Sequence, residues 1–124
     1  MKVEDIKFKA KSILDEAWVQ GDLIHKEDGK IAILRNGFNV SEVDPSTVCQ
    51  FIGEKDMNGE DIYIGDIISN LETGSVVEVE WNDRLKRLDC KFLNADKGLD
   101  VPFKIFISRY KRIVVLMSKF DKEK

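Results

Sequence analysis

No window of the chain approaches the ~18 continuous apolar residues of a membrane-spanning helix, so no membrane role is expected. Cysteine is scarce. Cys49 and Cys90 are the only two, and neither sits in a CxxC or other ligand-like spacing. That argues against a zinc ribbon or a disulfide framework, and free, buried thiols in a reducing cytoplasm are expected rather than a bridge. His25 is the single histidine, and no GxSxG elbow accompanies it, so no catalytic triad can be argued. The first eighteen residues mix charges throughout and hold no apolar core of signal-peptide length. A cytoplasmic protein is expected. Internal repeats, low-complexity tracts and a clear linker are all lacking.

What is present reads as globular. Hydrophobic residues make up 43% and charged residues 35%, more apolar content than a disordered chain carries. A length of 124 residues suits one domain, which at this size hides roughly two-thirds of its unfolded surface. The formal charge of −3 and pI near 5.2 argue against a dedicated nucleic-acid binder, although a local basic patch can act against the average.

Apolar residues alternate along much of the chain. Val3, Ile6 and Phe8 stand between charged neighbours, as in an edge strand. Residues 11–15 break the pattern as a loop or short helical turn. Trp18 to His25 reads as an extended run kinked at Gly21, followed by the hairpin pair Asp28-Gly29 and a returning strand over 31–34. Residues 35–44 are polar, contain Asn36-Gly37 and read as a loop closed by Pro45; this is the expected seam between two sub-structures. Further strands are expected over 47–52, 62–64, 67–68, 74–81 and 88–93, with turns at 53–59, 82–86 and Lys97-Gly98. A last run over 104–117 alternates and ends in Ile113 to Leu116. No segment keeps an i, i+3, i+4, i+7 pattern for three turns, so no long helix is expected. Short strands joined by glycine turns predict a mainly β fold: compact antiparallel strands in a small sandwich or barrel.

Three pieces follow one another in fixed order: Thr47-Val48-Cys49-Gln50-Phe51, then Lys55-Asp56-Met57-Asn58-Gly59, then Ile62-Tyr63-Ile64-Gly65-Asp66-Ile67. Upstream stand Ile6-Lys7-Phe8-Lys9 and Trp18-Val19-Gln20-Gly21-Asp22-Leu23, and downstream a glycine-led strand from Gly74 to Trp81. This ordered series resembles the YopX family of bacteriophage and prophage proteins over about residues 6–82. The last third departs from it: the asparagine-rich ending of many members is replaced by Arg109 to Leu116. The resemblance implies no activity, catalytic residue or cofactor. Its motif residues Gln50, Phe51, Asp56, Asn58, Gly59, Tyr63, Gly65 and Asp66 are expected to be structural. Asn58-Gly59 is expected to supply the two positive φ angles of a type I′ turn, with Asp56 bonding amides two residues on. Gly65-Asp66 resembles a strand start in SH3-like barrels. One domain over 1–124 is therefore expected, with an N-terminal β layer over 1–44, an SH3-like half over 45–118 and a frayed tail over 119–124.

Other candidates are weaker. Asp56, Asn58, Glu60 and Asp61 do not match the spacing of a calcium loop, and no metal is expected. Glu78 and Glu80 share one face of a strand and read as an exposed acidic stripe. Cys49 lies in an apolar strand, which makes a thiol inert. Basic residues gather as Arg84, Lys86, Arg87 and Lys91, and as Lys104, Arg109, Lys111 and Arg112 around Tyr110. Converging in space, they would form a nucleic-acid patch on which Tyr110 stacks; a solvated face is the commoner outcome. The uninterrupted apolar runs 31–34 and 113–116 are either core or pairing edges for a second subunit. Three readings result: a non-enzymatic phage-type accessory protein that self-associates and binds a phage or host protein, a nucleic-acid-binding regulator, or an enzyme with an acidic cleft. The first is the expectation, with a homo-oligomer and no cofactor.

Overall fold

The computed structural model describes residues 2–94 and 100–121, apart from the Glu4 side chain. The expected Lys97-Gly98 turn and the last three residues of the expected frayed tail lie outside the described residues. The fold is mainly β, and the chain divides into two compact units, Met1–Gly53 and Glu54–Lys124. The division falls inside a strand, whereas the segment 36–44, expected to be the seam, belongs to a hairpin.

The first unit begins with a 3-10 turn over Val3–Asp5, where an edge strand was expected, and continues as β1 (Phe8–Lys11), β2 (Trp18–His25), β3 (Ile31–Arg35) and β4 (Asn39–Val43). After a 3-10 turn at Pro45–Thr47 comes β5 (Cys49–Lys55). The order β4-β3-β2-β1-β5 makes β1 an interior strand. Its Phe8 and Lys9 pair with Gln50 and Cys49 on one side, and Phe8 to Lys11 pair with β2 on the other. The core gathers Ala10, Ile33 and Val43, with Phe8, Val19, Leu23, Ile31 and Val48 packed against them. Ser12 bridges Val43, and Ile13 N–H donates to the Glu42 carbonyl at 3.1 Å. The far end of β4 is thereby tied down.

β2 is continuous through Gly21, and there its pairing passes from β1 to β3. The close approach of β3 leaves no room for a side chain at this position: a Cβ there would lie 2.1 Å from the Leu34 carbonyl oxygen. The 35–44 stretch, expected to be a loop, holds β4 instead. Asn36 (φ 53°) and Gly37 (φ 78°) both take positive φ, and Phe38 N–H donates to the Arg35 carbonyl. Positive φ at both centres is what a type I′ hairpin requires. The polar residues that suggested a loop are those of an exposed edge strand.

The second unit holds the end of β5, Glu54–Lys55, followed by β6 (Asp61–Tyr63), β7 (Asp66–Asn70), β8 (Val76–Asn82), β9 (Arg87–Phe92), β10 (Val101–Pro102), a helix α1 (Phe103–Arg109) and β11 (Ile113–Ser118). Five of its strands form an antiparallel sheet in the order β10-β9-β8-β7-β11. Ile68, Val77, Val79 and Cys90 are fully buried in it, and Phe103 and Phe106 of the helix and Ile113 of β11 are buried too. The helix corrects the expected strand from Lys104. Ile105 and Ile107 do alternate, but Phe103, Phe106, Ile107 and Tyr110 stand at i, i+3, i+4 and i+7 and give one apolar stripe. Phe106 is 2% exposed while Ile105 is 50% exposed, and the Phe106 and Tyr110 rings meet at 5.3 Å. Two turns of helix were too short for a three-turn criterion.

Candidate functional site

Two carboxylates of the motif, those of Asp56 and Asp66, accept hydrogen bonds from backbone amides. Asp56 is 7% exposed, and its Oδ1 accepts from Asn58 N–H and Glu60 N–H, each at 2.9 Å. Its Oδ2 accepts from Val115 N–H, also at 2.9 Å. Met57 N–H donates to the Ile113 carbonyl at 3.0 Å. One carboxylate thus closes its own turn and covers the outer edge of β11. The expected type I′ turn at Asn58-Gly59 is not formed. Gly59 has φ 81° and Asn58 does not take positive φ, while Gly59 N–H reaches the Asp56 carbonyl and Asp56 N–H the Glu60 carbonyl. That is a type I turn closed by a left-handed glycine, the three-residue hairpin loop.

Gly65 and Asp66 form a second corner. Gly65 (φ 96°) donates to the Val79 carbonyl at 2.7 Å and accepts from Lys119 N–H at 2.8 Å. Asp66 is fully buried, and its Oδ2 accepts from Tyr63 N–H at 2.8 Å. Tyr63 and Phe51 are both buried at 3% exposure, while Gln50 is exposed.

The basic residues are not brought to one place. Arg84 and Lys86 lie in the β8–β9 turn, at one end of β8. Leu71 N–H bonds the Arg112 carbonyl, which sets Lys111 and Arg112 beside the β7–β8 turn at the other end. Seven residues of extended strand separate those ends, about 23 Å. Several of the cations also have acidic partners: Lys86 lies 3.0 Å from Asp83 and Arg87 lies 2.7 Å from the fully buried Asp89, which also accepts from the Asn82 amide. Lys91 pairs in register with Glu78. Glu72 accepts the backbone N–H groups of Lys111 and Arg112 at 2.8 and 3.1 Å, which holds its carboxyl below the usual range. Tyr110 rests against Phe106, with Arg109 ending the helix and Lys104 in its first turn.

Acidic chemistry is equally contained. Glu78 faces Lys119 at 3.6 Å. The Glu80 carboxyl is pushed up, first by desolvation and then by Asp100, and it lies directly across from Asp89. Burial, with Asp89 and Asp100 nearby, pushes the Cys90 thiol up to about 12; Cys49 is buried too and donates its thiol to the Thr47 carbonyl. Among the described residues no cluster of His, Cys, Asp or Glu could hold a metal ion, and none of the helices is long and apolar enough to cross a membrane.

A model of the family described as YopX protein matches residues 2–113. The chain belongs to the YopX family. The match reaches Ile113 and so runs well past Trp81, where the recognisable motifs stop. It takes in β9, β10 and α1, the part of the chain whose sequence departs from the familiar family ending. No curated protein matches the chain.

The features left for function are surfaces. A cleft of ≈370 Å³ in the second unit is lined by Lys55, Met57, Ile107, Ser108, Tyr110 and Lys111, among others. One of ≈530 Å³ in the first unit is lined by Lys7, Trp18, Gln20, Asp22, Arg35 and Asn36, among others. The third feature is the edge strand β4, with Phe38 at its start 77% exposed and Val40 58% exposed. Reading 35–44 as a loop concealed that edge; the alternation of Phe38, Val40 and Glu42 was the signal that could have found it.

Proposed function

We propose that this YopX-family chain is a non-enzymatic accessory protein of phage or prophage origin. It works in the host cytoplasm by self-association and by binding a phage or host protein. The observation that carries this reading is the state of the sheet edges. β10 and β6 are two and three residues long, too short to template another strand. On β11 the Val115 N–H and the Ile113 carbonyl are taken by Asp56 and Met57, and β3, one of the two runs suspected as pairing edges, is paired on both sides. That leaves β4. Glu42 turns its carbonyl outward to Ile13, so by strand alternation Val40 turns its N–H and C=O outward as well. Neither lysine nor proline guards this strand. An antiparallel pairing of two copies about Asn39 sets Phe38 across from Val40 of the second copy, an aromatic–β-branched pair repeated by symmetry.

An SH3-like second unit fits the same picture. Its last strand, β11, returns after a short helix to pair with the first strand of the sheet, β7, in keeping with a β module that recognises other chains.

Light scattering after size exclusion tests the reading. The wild-type chain is expected to run as a dimer or larger, and Val40→Lys as a monomer with an unchanged circular dichroism spectrum. A wild-type monomer at every concentration overturns self-association, and an unaltered oligomer in the variant moves it away from β4.

A further inference from the structure

Asn-Gly occurs twice in the chain, as Asn36-Gly37 at the β3–β4 turn and as Asn58-Gly59 between β5 and β6. An asparagine followed by glycine readily closes on itself: the glycine nitrogen attacks the side-chain carbonyl carbon, and the absence of a Cβ leaves the approach clear. Attack needs a free nitrogen and a backbone able to swing into the reacting geometry. Both asparagines are exposed, so exposure does not separate them. Their backbones do. Gly59 N–H is spent on the Asp56 carbonyl at 3.0 Å, and Asp56 N–H bonds the Glu60 carbonyl across the same loop. Met57 N–H fastens that loop to Ile113, and the Asp56 carboxylate holds the Asn58 and Glu60 amides. Among the described residues neither Gly37 N–H nor the Asn36 side chain has a hydrogen-bond partner. One bond closes the Asn36-Gly37 turn from within, Phe38 N–H to the Arg35 carbonyl at 3.2 Å. An exposed turn held by so few bonds opens at little cost.

We infer that Asn36-Gly37 is a self-modification site that deamidates in the folded chain, while Asn58-Gly59 is spared by the bonds around it. The Gly37 nitrogen gives its proton to base and forms a bond to the side-chain carbonyl carbon of Asn36. The bond from that carbon to the side-chain nitrogen breaks, ammonia leaves after taking up a proton, and a cyclic imide remains. Water opens the ring at either carbonyl and leaves an aspartyl or isoaspartyl residue at position 36; nothing is oxidised or reduced. The isoaspartyl form adds a main-chain carbon to a turn built on positive φ at both centres. Either form adds a carboxylate at the tip of the hairpin. In the antiparallel pairing about Asn39 proposed above, Asn36 stands level with Glu42 of the second copy, and like charges across a strand pair repel. Deamidation thus loosens self-association with time. That last step rests on the β4 pairing; the deamidation itself does not.

The test incubates the full chain in mildly alkaline buffer for days, follows ammonia release, and reads each site by peptide mass spectrometry. The same chain in guanidinium chloride, where no fold protects either pair, sets the reference rate for each. Relative to those references, Asn36 in the native chain should convert at least several-fold faster than Asn58. Asn36→Gln, whose longer side chain closes the ring poorly, should remove most of the native ammonia release. Asp56→Ala should raise the Asn58 rate towards that of Asn36; should this variant unfold, the native-to-denatured ratios of the wild type carry the comparison. Light scattering on Asn36→Asp reads the consequence, and its oligomer should dissociate at several-fold higher protein concentration than that of the wild type. Equal native rates, a faster Asn58, or no native conversion at Asn36 overturns the modification site. An Asn36→Asp variant as oligomeric as wild type overturns its effect on pairing. A monomeric wild type overturns the pairing alone, and the rates at Asn36 and Asn58 still decide the site.

Discussion

Asp56 and Val115 are 59 positions apart in the chain, yet the Asp56 carboxylate accepts the Val115 backbone N–H at 2.9 Å. The same carboxylate accepts two more amides inside its own turn. A residue that looks like local turn chemistry is therefore also a long-range clasp on an edge strand. Asp56→Ala strands three amide donors in a partly buried site, where each lost partner costs about 1 kcal/mol or more. Urea unfolding should show a loss of about 3 kcal/mol for Asp56→Ala and under about 1 kcal/mol for Asn58→Ala, whose side chain is exposed. Equal small losses would contradict the clasp.

Two glycines with positive φ should answer differently to alanine. Gly21 would drive its new Cβ to 2.1 Å from the Leu34 carbonyl, whereas Gly29 (φ 87°) faces open space. Gly29→Ala carries only left-handed strain, about 1–2 kcal/mol. Gly21→Ala must push two paired strands apart and should cost about 3 kcal/mol or more, read from the denaturation midpoints.

Glu72 links the β7–β8 turn to the backbone of Lys111 and Arg112, and its folded pKa lies below the ordinary 4.5. The sign follows from linkage: a depressed carboxyl stabilises the folded state above 4.5 and loses that contribution as pH falls through its folded value. Amide exchange at Lys111 and Arg112 should therefore quicken, relative to β11, as the pH drops below about 4.5. In Glu72→Gln that acid-dependent change should vanish.

Both thiols are buried, and the Cys90 thiol is pushed up to about 12. At pH 8 the thiolate fraction is negligible. A thiol reagent should find no fast-reacting cysteine in the native chain and both Cys49 and Cys90 after denaturation. One fast native thiol would show that β5 or β9 opens.

The sequence by itself determined the mainly β character and membership of the YopX family. Period-two alternation and glycine at turns are local properties, legible residue by residue. Tertiary structure alone decided the roles of the two Asn-Gly pairs. Asn36-Gly37 takes positive φ at both positions and Asn58-Gly59 only at its glycine, although three residues stand between the paired ends of each turn; the second is held by the Asp56 carboxylate, which accepts from Asn58, Glu60 and the distant Val115 N–H. It also decided that Phe103 to Arg109 winds into a helix, since burial of Phe103 and Phe106 outweighs the alternation of Ile105 and Ile107. Which cations gather is likewise a matter of register. Lys7, Lys9 and Lys11 share a face by strand geometry, while Arg84 and Arg112 are carried to opposite ends of β8 by the course of the sheet.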